Sequence, residues 1–363
     1  MKKVNYKQLI RKDIANMESY APGVSAWDLA KKYNTPIASI IKLNSNENAY
    51  GYSPKVKKAL TKISYQYYPG SEYAELREKI ATYAKVNKSN IFVGSGSDEI
   101  IDLLLRLTLE NSDAIVDAPP TFSMYAILAK LNKGNIINVP RKNDFSIDTK
   151  KIVEKLQNPN TKLFFLANPN NPTGTLTPNQ DIEKILQTGK LIIVDEAYFE
   201  FSCQTAVPLM KKYPNLIVLR TFSKWAGLAG LRIGYGIMDK YFVNELMKIR
   251  TPFNVNVAAE IAAIEILNNQ DFAEKSIKKI IADRDKMWKI LSQIKNIQVF
   301  PSSGNFIFIQ TKEKDFEKLK NMFEKNKIVL RYFKSIGNGI RITIGKPQEN
   351  KKVLQIIKEF YER

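Results

Sequence analysis

Thr221–Tyr235 reads TFSKWAGLAGLRIGY, and its reading decides how the rest of the chain is arranged. It carries one lysine, Lys224, with Ser223 before it and Arg232 further on. Gly227, Gly230 and Gly234 punctuate the interval, as happens where a backbone takes unusual torsions or approaches another group closely. The run before it, Asn215–Arg220, is NLIVLR, short and apolar, and predicts a buried strand. Lys224 is therefore expected in the loop leaving a strand end. A single lysine is usually a solvated surface charge. The hydroxyl before it, the small residues after it and the arginine beyond set this one apart. A buried amine with a lowered pKa is a nucleophile that forms Schiff bases. An arginine beside a hydroxyl clamps phosphate. Together they point to a cofactor with an aldehyde and a phosphate, a description that fits pyridoxal phosphate.

Composition narrows the alternatives. A chain of 363 residues with 44% hydrophobic content fits one large domain plus a smaller one. The N-terminal MKKVNYKQLIRK is basic without an apolar segment, so no signal peptide is expected. No apolar run approaches the ~18 residues of a membrane span. Cys203 is the only cysteine, which rules out an intrachain disulfide and suggests a reducing, cytoplasmic setting. Histidine is absent, which excludes Ser–His–Asp and Cys–His catalysis and removes the usual ligands of catalytic zinc. The formal net charge of +20 raises nucleic-acid binding as a competing reading. The lysines are spread along the chain, as at Lys55, Lys57, Lys58, Lys275, Lys278 and Lys279, and no recognition module accompanies them. The expectation is a basic surface that steers anionic substrates, with no specific nucleic acid and no membrane partner.

Apolar runs alternating with helical patterns predict strands at Ile91–Val93, Ala114–Ala118, Ile136–Pro140, Leu163–Leu166, Leu191–Val194, Asn215–Arg220 and Arg232–Ile237. This alternation predicts a mostly parallel α/β sheet of seven strands with helices on both faces. Ligands of such sheets bind beyond the carboxyl ends of the strands. The conspicuous polar loops sit there. Gly94–Glu99 (GSGSDE) opens a helix predicted over Ile100–Leu109, and unpaired N–H groups at such a start suit an anion. Ala167–Gly174 reads ANPNNPTG, with Asn171–Pro172 a candidate cis bond. Leu191–Val194 runs into Asp195-Glu196-Ala197-Tyr198, and a carboxylate at the mouth of a buried strand needs a partner.

Outside the sheet, residues 1–40 read as a helix followed by an irregular arm broken at Ser19–Gly23, with a short amphipathic helix at Ala26–Tyr33. Lys240–Ile294 reads as long helices. Strands at Gln298–Gln310, Ile328–Phe333 and Gly339–Ile344, with helices at Asp315–Lys325 and Asn350–Arg363, describe a small α/β domain. Arg331 and Arg341 lie in successive strands of it and are placed to hold an anion.

These stretches resemble the class II group of pyridoxal-phosphate aminotransferases of fold type I, and most closely the histidinol-phosphate aminotransferases, from about Tyr20 to the last strand. The resemblance implies an N-terminal arm over 1–45, a large cofactor domain over 46–280 and a small domain over 281–363. It implies that Lys224, Asp195 and Tyr198 are catalytic. Ser97, Asp98, Ser223, Arg232 and Tyr68 would hold the cofactor phosphate, Tyr68 crossing a homodimer interface. Phe122, where many members have tyrosine, would stack on the ring, and Asn171 and Tyr198 would meet its phenolic oxygen. Tyr20, Asn46, Arg331 and Arg341 would bind substrate. The activity implied is ping-pong transamination of histidinol phosphate with 2-oxoglutarate. Aromatic amino acids, other phosphorylated amines and decarboxylation of phosphothreonine remain open, because a few side chains worth ~1–3 kcal/mol separate them.

Overall fold

The computed structural model describes residues 5–17, 24–70 and 72–362. Tyr20 and the break at Ser19–Gly23 lie outside the described residues. In chain order the strands are β1 (Ile41–Lys42), β2 (Ile91–Gly94), β3 (Ala114–Asp117), β4 (Asn135–Asn138), β5 (Thr161–Ala167), β6 (Leu191–Asp195) and β7 (Leu216–Thr221). They continue with β8 (Gly234–Ile237), β9 (Ile297–Phe300), β10 (Phe306–Thr311), β11 (Ile328–Val329), β12 (Arg331–Phe333) and β13 (Gly339–Thr343). Seven of them form one sheet in the order β2-β8-β7-β6-β5-β3-β4. Only β8 runs antiparallel to its neighbours. The expected α/β sheet is therefore present.

The strand composition explains the layering. All five residues of β6, LIIVD, are buried. Alternation sends Ile192 and Val194 into one apolar cluster and Leu191 and Ile193 into the other. Helices Ala74–Ala84, Thr149–Leu156, Asn179–Leu186 and Val257–Asn268 cover the first face through Leu76, Ile152, Ile182 and Ile266. Helices Gly96–Thr108, Met124–Leu131 and Lys240–Ile249 cover the second through Leu104, Tyr125 and Leu246. Each fully buried Val, Leu or Ile stabilises this arrangement by about 1.5–3 kcal/mol.

The small domain carries an antiparallel sheet in the order β12-β13-β10-β9, under helices Glu313–Lys325 and Pro347–Tyr361. The single strand expected over Gln298–Gln310 is two, β9 and β10, turned by Pro301–Gly304. That turn leans on the large domain, where Ser303 N–H donates to Gly174 O (2.9 Å). The strand expected over Ile328–Phe333 is also divided. β11 pairs in parallel with β1, whereas β12 pairs antiparallel with β13. The N-terminal segment is thus stitched to the small domain by a two-residue strand. Among the described residues before 24, only the turns Tyr6–Gln8 and Lys12–Ala15 are helical, shorter than the expected helix. The helix Asp271–Leu291 runs unbroken through residue 280 and packs on β9, β10 and Pro347–Tyr361.

Candidate active site

The loop after β7 closes on itself: Phe222 N–H donates to Ile233 O (3.1 Å) and Leu228 N–H to Phe222 O (3.2 Å). Phe222 and Trp225 are buried and fix it to the core beneath. Gly227 has φ +71°, and a Cβ there would lie 2.2 Å from Gly51 O. A side chain at Gly234 would lie 2.6 Å from Ser97 N, so β8 enters against the start of the neighbouring helix. Arg232 precedes β8 rather than opening it, at φ +53°. Between Phe222 and Trp225, Lys224 turns into a cleft and donates from Nζ to Ser45 O (3.0 Å). Burial first, then the charge of Arg341, pushes its ammonium down to about 8.

The cleft has a cavity volume of about 240 Å³ and lies at the carboxyl ends of β3, β5, β6 and β7. Lys224 and Asp195 both line it. Asp195 Oδ2 accepts from Tyr125 Oη (2.7 Å) and Oδ1 accepts from Ala197 N–H (3.0 Å). Burial pushes this carboxyl up to about 6, against the pull of those two hydrogen bonds. Tyr125 is fully buried, stacked on Phe165 (4.8 Å) and edge-on to Phe122 (5.5 Å). Below Asp195, Glu196 Oε2 accepts Arg220 Nε (3.0 Å) and Nη2 (2.9 Å), and Oε1 accepts Ala206 N–H (2.6 Å). Neither partner of this ion pair reaches solvent appreciably, so it braces the strand ends from inside.

One flank of the cleft is set up for an anion. Helix Gly96–Thr108 begins four residues earlier than the apolar pattern suggests and has no side-chain cap. Its first turn places Ser97 and Asp98 on the cleft with orphan N–H groups. Ser223 and Arg232 line the same flank. Arg232 Nη2 donates to Asp98 Oδ2 (2.9 Å), and both side chains are about half exposed. Thr221 Oγ1 accepts Ser223 N–H (3.1 Å) and lies 2.9 Å from Ser223 Oγ.

The small domain supplies a second cationic wall. Arg331 and Arg341 are direct partners across β12 and β13, and both line the cleft with Phe333. Arg341 donates from Nη1 to Asn171 Oδ1 and from Nη2 to Asn44 O (2.5 Å). Asn171 follows a cis peptide at Asn168–Pro169 and precedes another to Pro172, as expected for the latter. Tyr198 Oη accepts from Asn46 Nδ2 (2.9 Å) and sits edge-on to Phe306 (5.1 Å). Burial pushes its phenol up.

The structure thus gathers Asn46, Ser97, Asp98, Phe122, Asn171, Asp195, Tyr198, Ser223, Lys224, Arg232, Arg331 and Arg341 around one cavity. Tyr68 is elsewhere. It is 80% exposed, stacked on Phe253 (4.6 Å), with Tyr65 and Tyr67 also exposed beside it. Sequence reading missed Tyr125, Thr221 and the carbonyls of Asn44 and Ser45. Tyr125 follows Phe122 by three residues, in the first turn of helix Met124–Leu131, and that closeness was the available signal.

The sequence profile of the family described as Aminotransferase class I and II matches residues 38–357. The histidinol-phosphate aminotransferase of Roseiflexus castenholzii is 39% identical over 362 residues, covering 97% of this chain and 98% of that one. Among solved structures, the histidinol-phosphate aminotransferase from Clostridium acetobutylicum has a TM-score of 0.82 at 28% identity, over 89% of this chain and 99% of that one. That from Sinorhizobium meliloti, in complex with pyridoxal-5'-phosphate, has a TM-score of 0.86 at 24% identity over 97% of each chain. With the loop of Lys224, the carboxylate of Asp195 and these matches together, the chain belongs to the class I and II aminotransferases, in the histidinol-phosphate aminotransferase family.

Proposed function

We propose that this chain transaminates histidinol phosphate with 2-oxoglutarate, within histidine biosynthesis, using pyridoxal phosphate held at Lys224. The donor set of the cleft fits that cofactor. Lys224 offers an amine whose pKa of about 8 leaves a usable neutral fraction. Asp195, fixed through both oxygens, offers a ring N–H a stationary acceptor. The uncapped helix start, Ser223 and Arg232 suit a phosphate, which shares Arg232 with Asp98. Phe122 offers an aromatic face. When bound, pyridoxal phosphate supplies an aldehyde for the amine and a ring that draws negative charge from the substrate carbon.

The chain's own groups then divide the work. Lys224 Nζ takes the proton from the substrate carbon and returns it at the neighbouring position, as general base and acid. Asp195 holds a proton at the ring nitrogen. Asn171 Oδ1 is engaged by Arg341, which leaves Nδ2 to donate to the cofactor's phenolic oxygen beside Tyr198. Ser97 and Asp98 N–H, Ser223 and Arg232 hold the phosphate, joined by Tyr68 from a second copy, a residue whose ring is exposed in the single chain. We assign a homodimer, a cytoplasmic setting consistent with the lone Cys203, and a domain division near 280 within the shared helix.

The observation that carries the substrate is the arginine pair. Like charges directly opposite on adjacent strands repel, and an anion bridging Arg331 and Arg341 removes that cost through charge-assisted hydrogen bonds. Arg341 takes the carboxylate of the keto acid in the return half-reaction. The test is a set of half-reactions followed by cofactor absorbance with histidinol phosphate, phenylalanine and phosphothreonine. Histidinol phosphate should react at least about tenfold faster. Equal rates with phenylalanine would remove the substrate and leave the chemistry. Carbon dioxide released from phosphothreonine would replace transamination with decarboxylation.

A further inference from the structure

We infer that Asn46 and Thr343 are positioning residues that fix the direction of the Tyr198 hydroxyl proton, aiming it into the cleft. The inference rests on the cofactor reading above and assigns Asn46 a different task from the substrate contact expected of it.

Asn46 is buried, at φ +54°, and joins the arm, the large domain and the small domain. Its backbone N–H, which can only donate, meets Thr343 Oγ1 at 3.0 Å. The hydroxyl of Thr343 has one proton, and it goes to Asn46 Oδ1 at 3.0 Å. The other end of the amide is therefore Nδ2, which lies 2.9 Å from Tyr198 Oη. An NH₂ group only donates, so Tyr198 must accept there, and its own proton is left for the cleft that its side chain lines. Asn305 Nδ2 donates to Asn46 O (2.9 Å), and Thr343 N–H donates to Leu43 O (3.0 Å), so the relay is held from both sides. An amide orientation is ordinarily ambiguous. Turned over, the amide would present Nδ2 to Thr343 Oγ1 and leave the proton of that buried hydroxyl with no acceptor among the described residues, which selects the orientation given.

The consequence is chemical. A hydroxyl turned inward would present lone pairs to the cofactor's phenolic oxygen. One turned outward donates to it, stabilises its negative charge, and lowers the pH at which the bound cofactor loses its proton.

The test is a pH titration of the bound cofactor's visible absorbance, with cofactor dissociation measured by equilibrium dialysis. The variants are Tyr198→Phe, Asn46→Asp, Thr343→Val and each of the last two combined with Tyr198→Phe. Tyr198→Phe should raise the midpoint by about one pH unit. Asn46→Asp, whose carboxylate accepts the Tyr198 proton, should raise it as far. Thr343→Val, which is uncharged and frees the amide to turn over, should raise it by less. When Tyr198 is already Phe, the Thr343→Val effect should vanish and the Asn46→Asp effect should shrink to that of its charge alone. An equal shift with and without the Tyr198 hydroxyl would overturn the inference, since a new charge or a local distortion would then suffice. So would unchanged midpoints in both Asn46→Asp and Thr343→Val. If the unmodified protein binds no pyridoxal phosphate in dialysis, the cofactor reading itself fails, and the inference with it.

Discussion

On the sheet side of the cleft, Asp195 ends β6 and Lys224 stands just beyond β7, two adjacent parallel strands with buried flanks. On the small-domain side, Arg331 and Arg341 face each other across an antiparallel pair, and Asn44–Asn46 reach them from the arm. The first wall is fixed by packing on both faces of a sheet. The second is assembled from segments almost three hundred residues apart, joined by a few hydrogen bonds such as the two between Asn46 and Thr343. The contrast suggests a division of labour. The proposed chemistry falls where buried strands end, and the proposed recognition where segments distant in sequence meet. Substitutions on the two walls should therefore differ in kind, the sheet side removing turnover or fold and the small-domain side altering substrate preference.

The largest effect belongs to Lys224. Lys224→Ala should lower turnover by about 10⁴-fold, the range of positioned proton transfer, and abolish the visible absorbance that covalent attachment of the cofactor gives. Retention of both would break the comparison at its strongest point.

Next comes the brace beneath Asp195. Arg220→Met leaves Glu196 charged among buried groups, and should cost about 3–5 kcal/mol in urea unfolding of the apoprotein. The double variant Arg220→Met, Glu196→Gln should recover most of that loss, because no unpaired charge remains. If the single variant cost under ~1 kcal/mol, the sheet wall would be softer than its burial implies.

The sequence exposed these walls unequally, for a physical reason. Apolar runs such as LIIVD and NLIVLR mark strands locally, so the residues at their ends, Asp195 and Lys224, could be placed without knowing what neighbours them. Period-two alternation then sorted the core. The small domain depends on register. Arg331 meets Arg341 through a local turn between consecutive strands, but that Ile328 pairs with Ile41 while Arg331 belongs to another sheet is decided by contacts distant in sequence. Backbone carbonyls such as Ser45 O, which meets Lys224, leave no trace in side-chain identity. Tyr125 was hidden differently: an aromatic on an apolar helix reads as core, which it also is. Asn46 and Tyr198 were both visible as site residues, but the hydrogen bond between them, and the one to Thr343, were not.

On the recognition wall, Arg331→Gln should weaken kcat/KM for histidinol phosphate about ten- to hundredfold, the value of charge-assisted hydrogen bonds, chiefly through KM. For phenylalanine, which lacks the phosphate, the change should be within about threefold if the phosphate alone engages Arg331. Equal losses for both substrates would mean that Arg331 shapes the cleft rather than reading the phosphate.

The smallest and most diagnostic effect is the pH dependence of cofactor uptake by the apoprotein. The Lys224 ammonium is pushed down to about 8, below its ordinary value near 10.5, and only the neutral amine attacks an aldehyde. The rate of covalent uptake should therefore rise about tenfold per pH unit below about 8 and level off above it. The same depression means that the folded chain holds this proton less tightly than the unfolded one. The contribution of Lys224 to stability is least below about 8 and grows as pH rises toward 10.5. With no histidine in the chain, few groups confuse this window. Glu200, pushed up to about 8 by burial, is one, and it lies on the brace side beside Tyr83 rather than in the cleft. Glu200→Gln should leave the uptake midpoint in place, whereas Arg341→Gln, by removing the largest cationic influence on Lys224, should move it upward. A midpoint that followed Glu200 instead would transfer the titration from the cleft to the brace, and would show that cleft and brace are electrically joined through the sheet.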